Sequence, residues 1–190
     1  MKFQLIVLFT FVSQFLSAQI EVPTSSQECK IITKGNITYC LNTSNYEILW
    51  AATVLEGKDI DNKVYLPPDK EFFRKMPVKM GPVWQKIEMQ TRMWAMEFDS
   101  LYVVTGMYYS NDSIPEKLYY KTLLKGSQSD GLAFVVSVNS ISSSSIVDYA
   151  IPIIELEERT RIDFYPSLNK KINNPIEASL NWENWPLTVD

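Results

Sequence analysis

A chain of 190 residues with no histidine lacks the commonest general base and the commonest metal ligand, so any catalysis must rest on carboxylates, lysine, tyrosine, serine or a metal-bound water. Four sets of side chains have types and spacings that bear on chemistry. Glu88 and Arg92 stand four apart in a helical pattern, so they share a face and can form an i,i+4 pair worth a few tenths of a kcal/mol. Asp59, Asp61 and Asp69 lie in an irregular stretch; three carboxylates could hold a magnesium ion together with water, although acidic residues in such a loop are ordinarily just solvated. Lys70, Arg74, Lys75, Lys79, Lys86 and Arg92 outnumber Glu71 and Glu88 between residues 70 and 92. This is the one candidate phosphate-facing patch, and on charge counting alone a solvated loop and helix face fits it equally well. Cys29 and Cys40 lie eleven apart without the CxxC spacing of a metal site. The pair is expected to be a disulfide, stabilising the entry segment by about 3 kcal/mol in the chain-entropy model.

The elements that must position these groups are outlined by the same sequence. Gln19 to Gly35 is polar and turn-rich and reads as an extended lead-in tied down by Cys29, with the folded part starting at Asn36. Asn36 to Leu41 and Tyr46 to Leu55, separated by the polar turn Asn42 to Asn45, have a hairpin pattern, although the alanines of the second run also suit the start of a helix. Residues 56 to 82 carry prolines, glycines and alternating charges and read as surface. Apolar residues at Val83, Trp84, Ile87, Trp94, Ala95 and Phe98, with Pro82 at a tolerated first-turn position, predict a helix over 83–98. Four strand-like runs follow, Leu101 to Thr105, Lys117 to Leu124, Leu132 to Asn139 and Ile146 to Ile154, divided by turn signals that include Gly106. A short helical pattern spans Glu155 to Ile162, and a polar tail with Trp182 and Trp185 closes the chain. The expected class is α+β, a mainly antiparallel central sheet with flanking helices in one domain over residues 36–190.

Residues 1–18 have the plan of a secretory signal peptide: Lys2, an apolar run from Phe3 to Leu16, then small residues before Gln19. No later apolar stretch reaches the roughly 18 residues that a spanning helix needs. The expected location is secreted or periplasmic, where an isolated cysteine pair is normally oxidised. Cleavage after Ala18 takes the basic count from 18 to 17 against 22 acidic residues. The summed field of such a chain opposes nucleic acid at long range, so phosphate binding requires the local patch or a bound cation.

Several stretches, in this order, resemble the DNA/RNA non-specific endonuclease family, whose members carry a metal-dependent ββα nuclease fold. Tyr39-Cys40-Leu41 followed by Trp50-Ala51-Ala52 and Leu55 is similar to the family's early hairpin. The helix from Trp84 through Glu88 and Arg92 to Trp94-Ala95 is similar to its W-x-x-L-E-x-x-x-R-x-W-A. Leu101 to Gly106 resembles its L-Y-V-V-T-G strand, Ile114-Pro115 with Tyr119-Tyr120-Lys121 its I-P-x-x-F-Y-K element, and Ala133-Phe134-Val135 to Asn139 its next core strand. Tyr149 to Ile153, then Ile154-Glu155 with Glu158-Arg159-Thr160, and Asp163 to Pro166 look like its Y-x-V-x-I, I-E-x-x-T-G and D-F-F-P signatures. Any one of these is weak alone; seven in register make the resemblance specific.

The resemblance implies roles as well as a fold. Glu88 corresponds to the glutamate that orients a metal-bound water, and Arg92 to the arginine that stabilises the cleaved phosphate. The departures fall on the chemistry. The D-R-G-H-L motif, which supplies the water-activating histidine and a phosphate-binding arginine, is absent, and the stretch from Gly57 to Pro82 is shorter than the family's. Val64 to Pro68 aligns either with the residues after the missing histidine or with a later strand. The metal-ligating asparagine, eight residues before the helix glutamate, falls on Met80, a poor donor for a hard cation.

Three functions follow as expectations. The first is an exported pseudo-nuclease with an eroded centre, holding DNA or RNA weakly through Arg74, Lys75, Lys79 and Lys86. The second is an active, divergent phosphodiester hydrolase using Mg2+ on Asp61, Asp69 and Glu88. The third is an exported interaction module with Trp182 and Trp185 as anchors, against which a tail packed on the sheet is the plainer expectation.

Overall fold

The computed structural model describes residues 22–25, 28–61, 81–111, 113–137, 145–166 and 175–188. The expected signal peptide, Asp69, Arg74, Lys75, Lys79 and the serine run at 142–144 lie outside the described residues. Strand β1 (Thr24–Ser25) is followed by β2 (Cys29–Lys34), β3 (Ile37–Asn42), β4 (Ile48–Glu56), the short helix α1 (Gly57–Asp61) and the long helix α2 (Pro82–Glu97). Then come β5 (Ser100–Tyr109), β6 (Lys117–Lys125), β7 (Gly131–Ser137), β8 (Ala150–Ile151), helix α3 (Ile153–Thr160) and β9 (Ile162–Asp163). Strands β2 to β8 form one seven-stranded sheet in sequential order, every pair antiparallel, while β1 pairs with β9 apart from it. The class is α+β, as expected. No helix among the described residues is long and apolar enough to cross a membrane.

Both faces of the sheet are covered, which is why β4 and β6 are buried along most of their length instead of alternating. Helix α2 lays Val83, Trp84, Ile87, Trp94 and Ala95 on one face, against Leu101, Val103, Leu123 and Phe134. On the other face Ile153 and Leu156 of α3, with Phe164 and Tyr165, pack on Trp50, Val104, Tyr120 and Leu124. Pro82 occupies the first helical position of α2, where its missing N–H is no loss. The tail is part of this core. Trp185 stands edge-on to Trp94 and Phe98, with ring centres 5.0 and 5.4 Å apart, and the Trp94 indole N–H donates to the Pro186 carbonyl at 2.7 Å. Trp182 packs partly buried beside them.

Three expectations are corrected. The sheet begins at Cys29 and not at Asn36: residues 29–34 form the edge strand, joined to β3 by the two-residue turn Gly35-Asn36. Gly35 there has φ +61°, the conformation such a hairpin turn demands and glycine supplies without a steric penalty. The Cys29–Cys40 disulfide is present and staples these two strands. Gly106 does not separate strands but lies inside β5. A Cβ there would sit 2.7 Å from the Leu49 carbonyl oxygen and closer still to the Tyr120 hydroxyl, so the glycine marks a close approach across the sheet.

The run Ile146 to Ile154 is not a strand. Ser145 accepts from the Val147 N–H to start a 3-10 turn over Ile146–Tyr149, β8 has two residues, and Pro152 then caps α3. Ile146 is buried on the α2 face and Ile153 on the α3 face. The apolar run is therefore the chain passing around the sheet edge, and α3 starts two residues before the Glu155 expected for it.

Candidate active site

Glu88 lies in the second turn of α2, between the buried stripe of Trp84, Ile87 and Thr91 and the exposed side of Met89 and Arg92. Lys121 stands at the middle of β6, opposite Thr105 on β5 and Phe134 on β7. It shares the α2-facing side with Tyr119 and Leu123, two residues away in each direction. Its side chain is completely buried and its ammonium forms an ion pair with Glu88 Oε1, whose own side chain is 17% exposed. The same Nζ is 5.5 Å from the centre of the Trp84 ring. A buried ammonium costs several kcal/mol unless it is paired, so Glu88 is the counter-ion that allows a lysine at this position.

Glu88 thus has an ion-pair partner 33 residues away in sequence, on β6. Arg92 is exposed one turn further along α2. Lys86, half-buried, is two residues from Glu88, which on a helix turns it to another side. Helix α1, which carries Asp59 and Asp61, begins against the last turn of α2, where a Cβ on Gly57 would lie 3.0 Å from Ala95 O. That is about 10 Å along the α2 axis from Glu88. The residue that sequence reasoning passed over is Lys121. Its signal was a lysine in the middle of the otherwise buried run Tyr119 to Leu124, quoted as part of the Y-Y-K match but given no role.

The sequence model of the DNA/RNA non-specific endonuclease family matches residues 66–171, more than half of the chain and the part that holds Glu88, Arg92 and Lys121. The chain belongs to this family. The fold agrees: a chain of the crystal structure of the EndoG/EndoGI complex superposes with a TM-score of 0.54 at 12% identity, over 74% of this chain and 87% of that one. No curated protein matches.

Non-specific endonucleases of this family are metal-dependent, so the donor set around Glu88 can be tested for a divalent ion. Magnesium takes hard oxygen ligands and keeps several waters. One oxygen of Glu88 is committed to an ammonium that would stand beside the incoming cation and repel it. Among the described residues no group of three or more Asp, Glu, Cys or His side chains converges as a metal site. The described side chains around Glu88 do not fit a magnesium ion.

Proposed function

We propose that this protein is a secreted or periplasmic member of the DNA/RNA non-specific endonuclease family whose catalytic centre is eroded, leaving a scaffold that holds nucleic acid weakly without cleaving it. The observation that carries this is the state of Glu88. In a chain with no histidine, the one family-matched carboxylate on α2 is neutralised by the buried Lys121 ammonium. Loss of the general base alone costs a factor of about 100 to 10,000 in rate. Loss of the metal adds several kcal/mol, because it removes both the clamp on the phosphoryl oxygens and the lowered water pKa. The two together bring the rate close to background.

Weak binding rests on the basic stretch of residues 70–92, of which Lys86 and Arg92 lie on α2. Export is supported by the signal-like residues 1–18 and by the Cys29–Cys40 disulfide. Trp185 is spent on the core, so the tryptophan anchors of an interaction module have no support.

Two titrations test the proposal. Calorimetry with magnesium or manganese should give no binding heat at millimolar metal; a site that is lost in Asp61→Ala or Glu88→Ala would favour the divergent hydrolase. Fluorescence anisotropy with a single-stranded oligonucleotide should show weak binding that falls with salt. Contacts from four to six cations give a log–log slope of roughly −3 to −4. A salt-independent affinity would contradict nucleic-acid binding through this patch.

A further inference from the structure

The last described stretch of the chain passes from one face of the sheet to the other. A single helical turn at 175–177, closed by the Ser179 hydroxyl donating to the Pro175 carbonyl at 2.7 Å, sets Ile176 into the core under α3. Leu180 and Trp182 then pack against the core under α2, where Trp185 stands against Trp94 and Phe98. This strap is anchored unequally. Ring contacts and the hydrogen bond from Trp94 to Pro186 hold the α2 end, whereas Ile176 is the apolar anchor of the α3 end.

Beside Ile176 is a group that opposes docking. Glu177 is 6% exposed, and its Oε1 is buried with no hydrogen-bond partner among the described residues. Two further carboxyls, from two other elements, interact with it. Glu157 belongs to the last turn of α3, and Asp163 to β9, where it pairs with Thr24 of β1. Arg161, in the left-handed conformation at φ 57°, turns the chain between them, so that the Phe164 N–H reaches back to Glu157 at 2.8 Å. The charges acting on Glu157 are those of Glu177 and Asp163, and on Glu177 that of Asp163. Neither Arg159 nor Arg161 is among them: Arg159 is taken up by Glu155 and the Tyr108 hydroxyl, and Arg161 is exposed. Strand β1 brings hydroxyls, and the Tyr165 phenol beneath donates to Thr122 at 3.0 Å. Carboxyls gathered from three elements without a counter-ion repel one another unless they hold protons.

We infer that the 175–178 turn is an acid-held latch: while Glu157 and Glu177 carry protons it stays docked on α3, and as they ionise it lifts off while the Trp185 end stays in place. Burial, first of all, and the neighbouring carboxylates push both carboxyls up to about 7; once exposed to water they return towards the ordinary 4.5. The docked state therefore binds more protons than the released one, so docking is strongest below pH 4.5 and is lost as pH rises through 7. The difference is at most about 300-fold in the docking equilibrium for each carboxyl, and less where water screens the charges.

A reporter at position 178 tests the latch in the full-length protein. Both cysteines are in the disulfide, so Ala178→Cys, at an exposed position next to Glu177, supplies a unique thiol for a trifluoromethyl tag read by fluorine NMR. The tag should pass from a docked to a released position with a midpoint near pH 7, the released-to-docked ratio rising at least about tenfold between pH 5.5 and pH 8.5. The near-ultraviolet circular dichroism of the tryptophans should stay constant over that range. Glu157→Gln with Glu177→Gln should keep the tag docked at pH 8.5, and Ile176→Ala should release it at both pH values. A tag that ignores pH, a pH response unchanged in the double glutamine variant, or a docked tag in Ile176→Ala would overturn the proposal. So would loss of the tryptophan signal at the same midpoint, because the whole fold and not the turn would then be opening.

Discussion

Beneath α2 a carboxylate meets a cation, Glu88 on the fully buried Lys121; beneath α3 the carboxylates of Glu157 and Glu177 have carboxylates for electrostatic neighbours. Burial, first of all, pushes both up to about 7, and the charges of Asp163 on both, and of Glu177 on Glu157, add to it. Glu157 accepts from the Phe164 N–H at 2.8 Å, which opposes the shift. Glu177 Oε1 is buried with no hydrogen-bond partner among the described residues. The two faces therefore solve the same problem differently. One neutralises charge with a counter-ion; the other holds carboxylates whose pKa is pushed up to about 7 and becomes sensitive to pH. The family-matched glutamate is on the face where a carboxylate is paired with an ammonium.

Breaking the α2 pair should have the largest effect. Glu88→Gln leaves a buried ammonium without its counter-ion and should destabilise by about 3–5 kcal/mol in urea unfolding. Lys121→Met should cost less, because Glu88 keeps some contact with water. The double variant Glu88→Leu with Lys121→Met should recover most of the loss, as buried pairs replaced together by apolar residues often do. A double variant as unstable as Glu88→Gln would show that the pair is not the unit.

The α3 face predicts an intermediate effect with a definite sign. The folded pKa of about 7 exceeds the ordinary 4.5 for both Glu157 and Glu177, so the folded state binds more protons between those values. The resulting stability is present in full below pH 4.5 and is lost as pH rises through 7. Unfolding free energy should fall between pH 5 and pH 8 by at most about 2.5 kcal/mol for each carboxyl, and by less in total than the two added together, because solvent screens these partly exposed groups and they repel one another. Glu157→Gln with Glu177→Gln should flatten that slope, whereas Glu88→Gln should leave it in place. The smallest effect is at the end of α3. Arg161→Gly should raise stability by up to about 1 kcal/mol by relieving the left-handed residue, and a loss of Tm would show that Arg161 is held there by packing.

What the sequence made legible follows the range of the interactions. Helix α2 was readable to within a residue at each end because its period and Pro82 are local signals. Strands β3, β4 and β6 were bounded by turn clusters that act over a few residues. Strand β2 was hidden because Ile31 and Ile32 are flanked by lysines and threonine on an edge with little to bury. Ile146 to Ile154 misled because an apolar run serving two faces in succession looks like a strand serving one. Motif spacing pointed to Glu88 and Arg92, but the partner that decides what Glu88 does comes from β6 through sheet pairing, which no local pattern encodes.

Plasmid nicking decides most directly whether this scaffold still does chemistry. Supercoiled DNA incubated with the purified protein in magnesium or manganese should stay intact, at a rate indistinguishable from an EDTA control and from Glu88→Ala. Metal-dependent turnover that disappears in Glu88→Ala would contradict the eroded centre and establish an active nuclease.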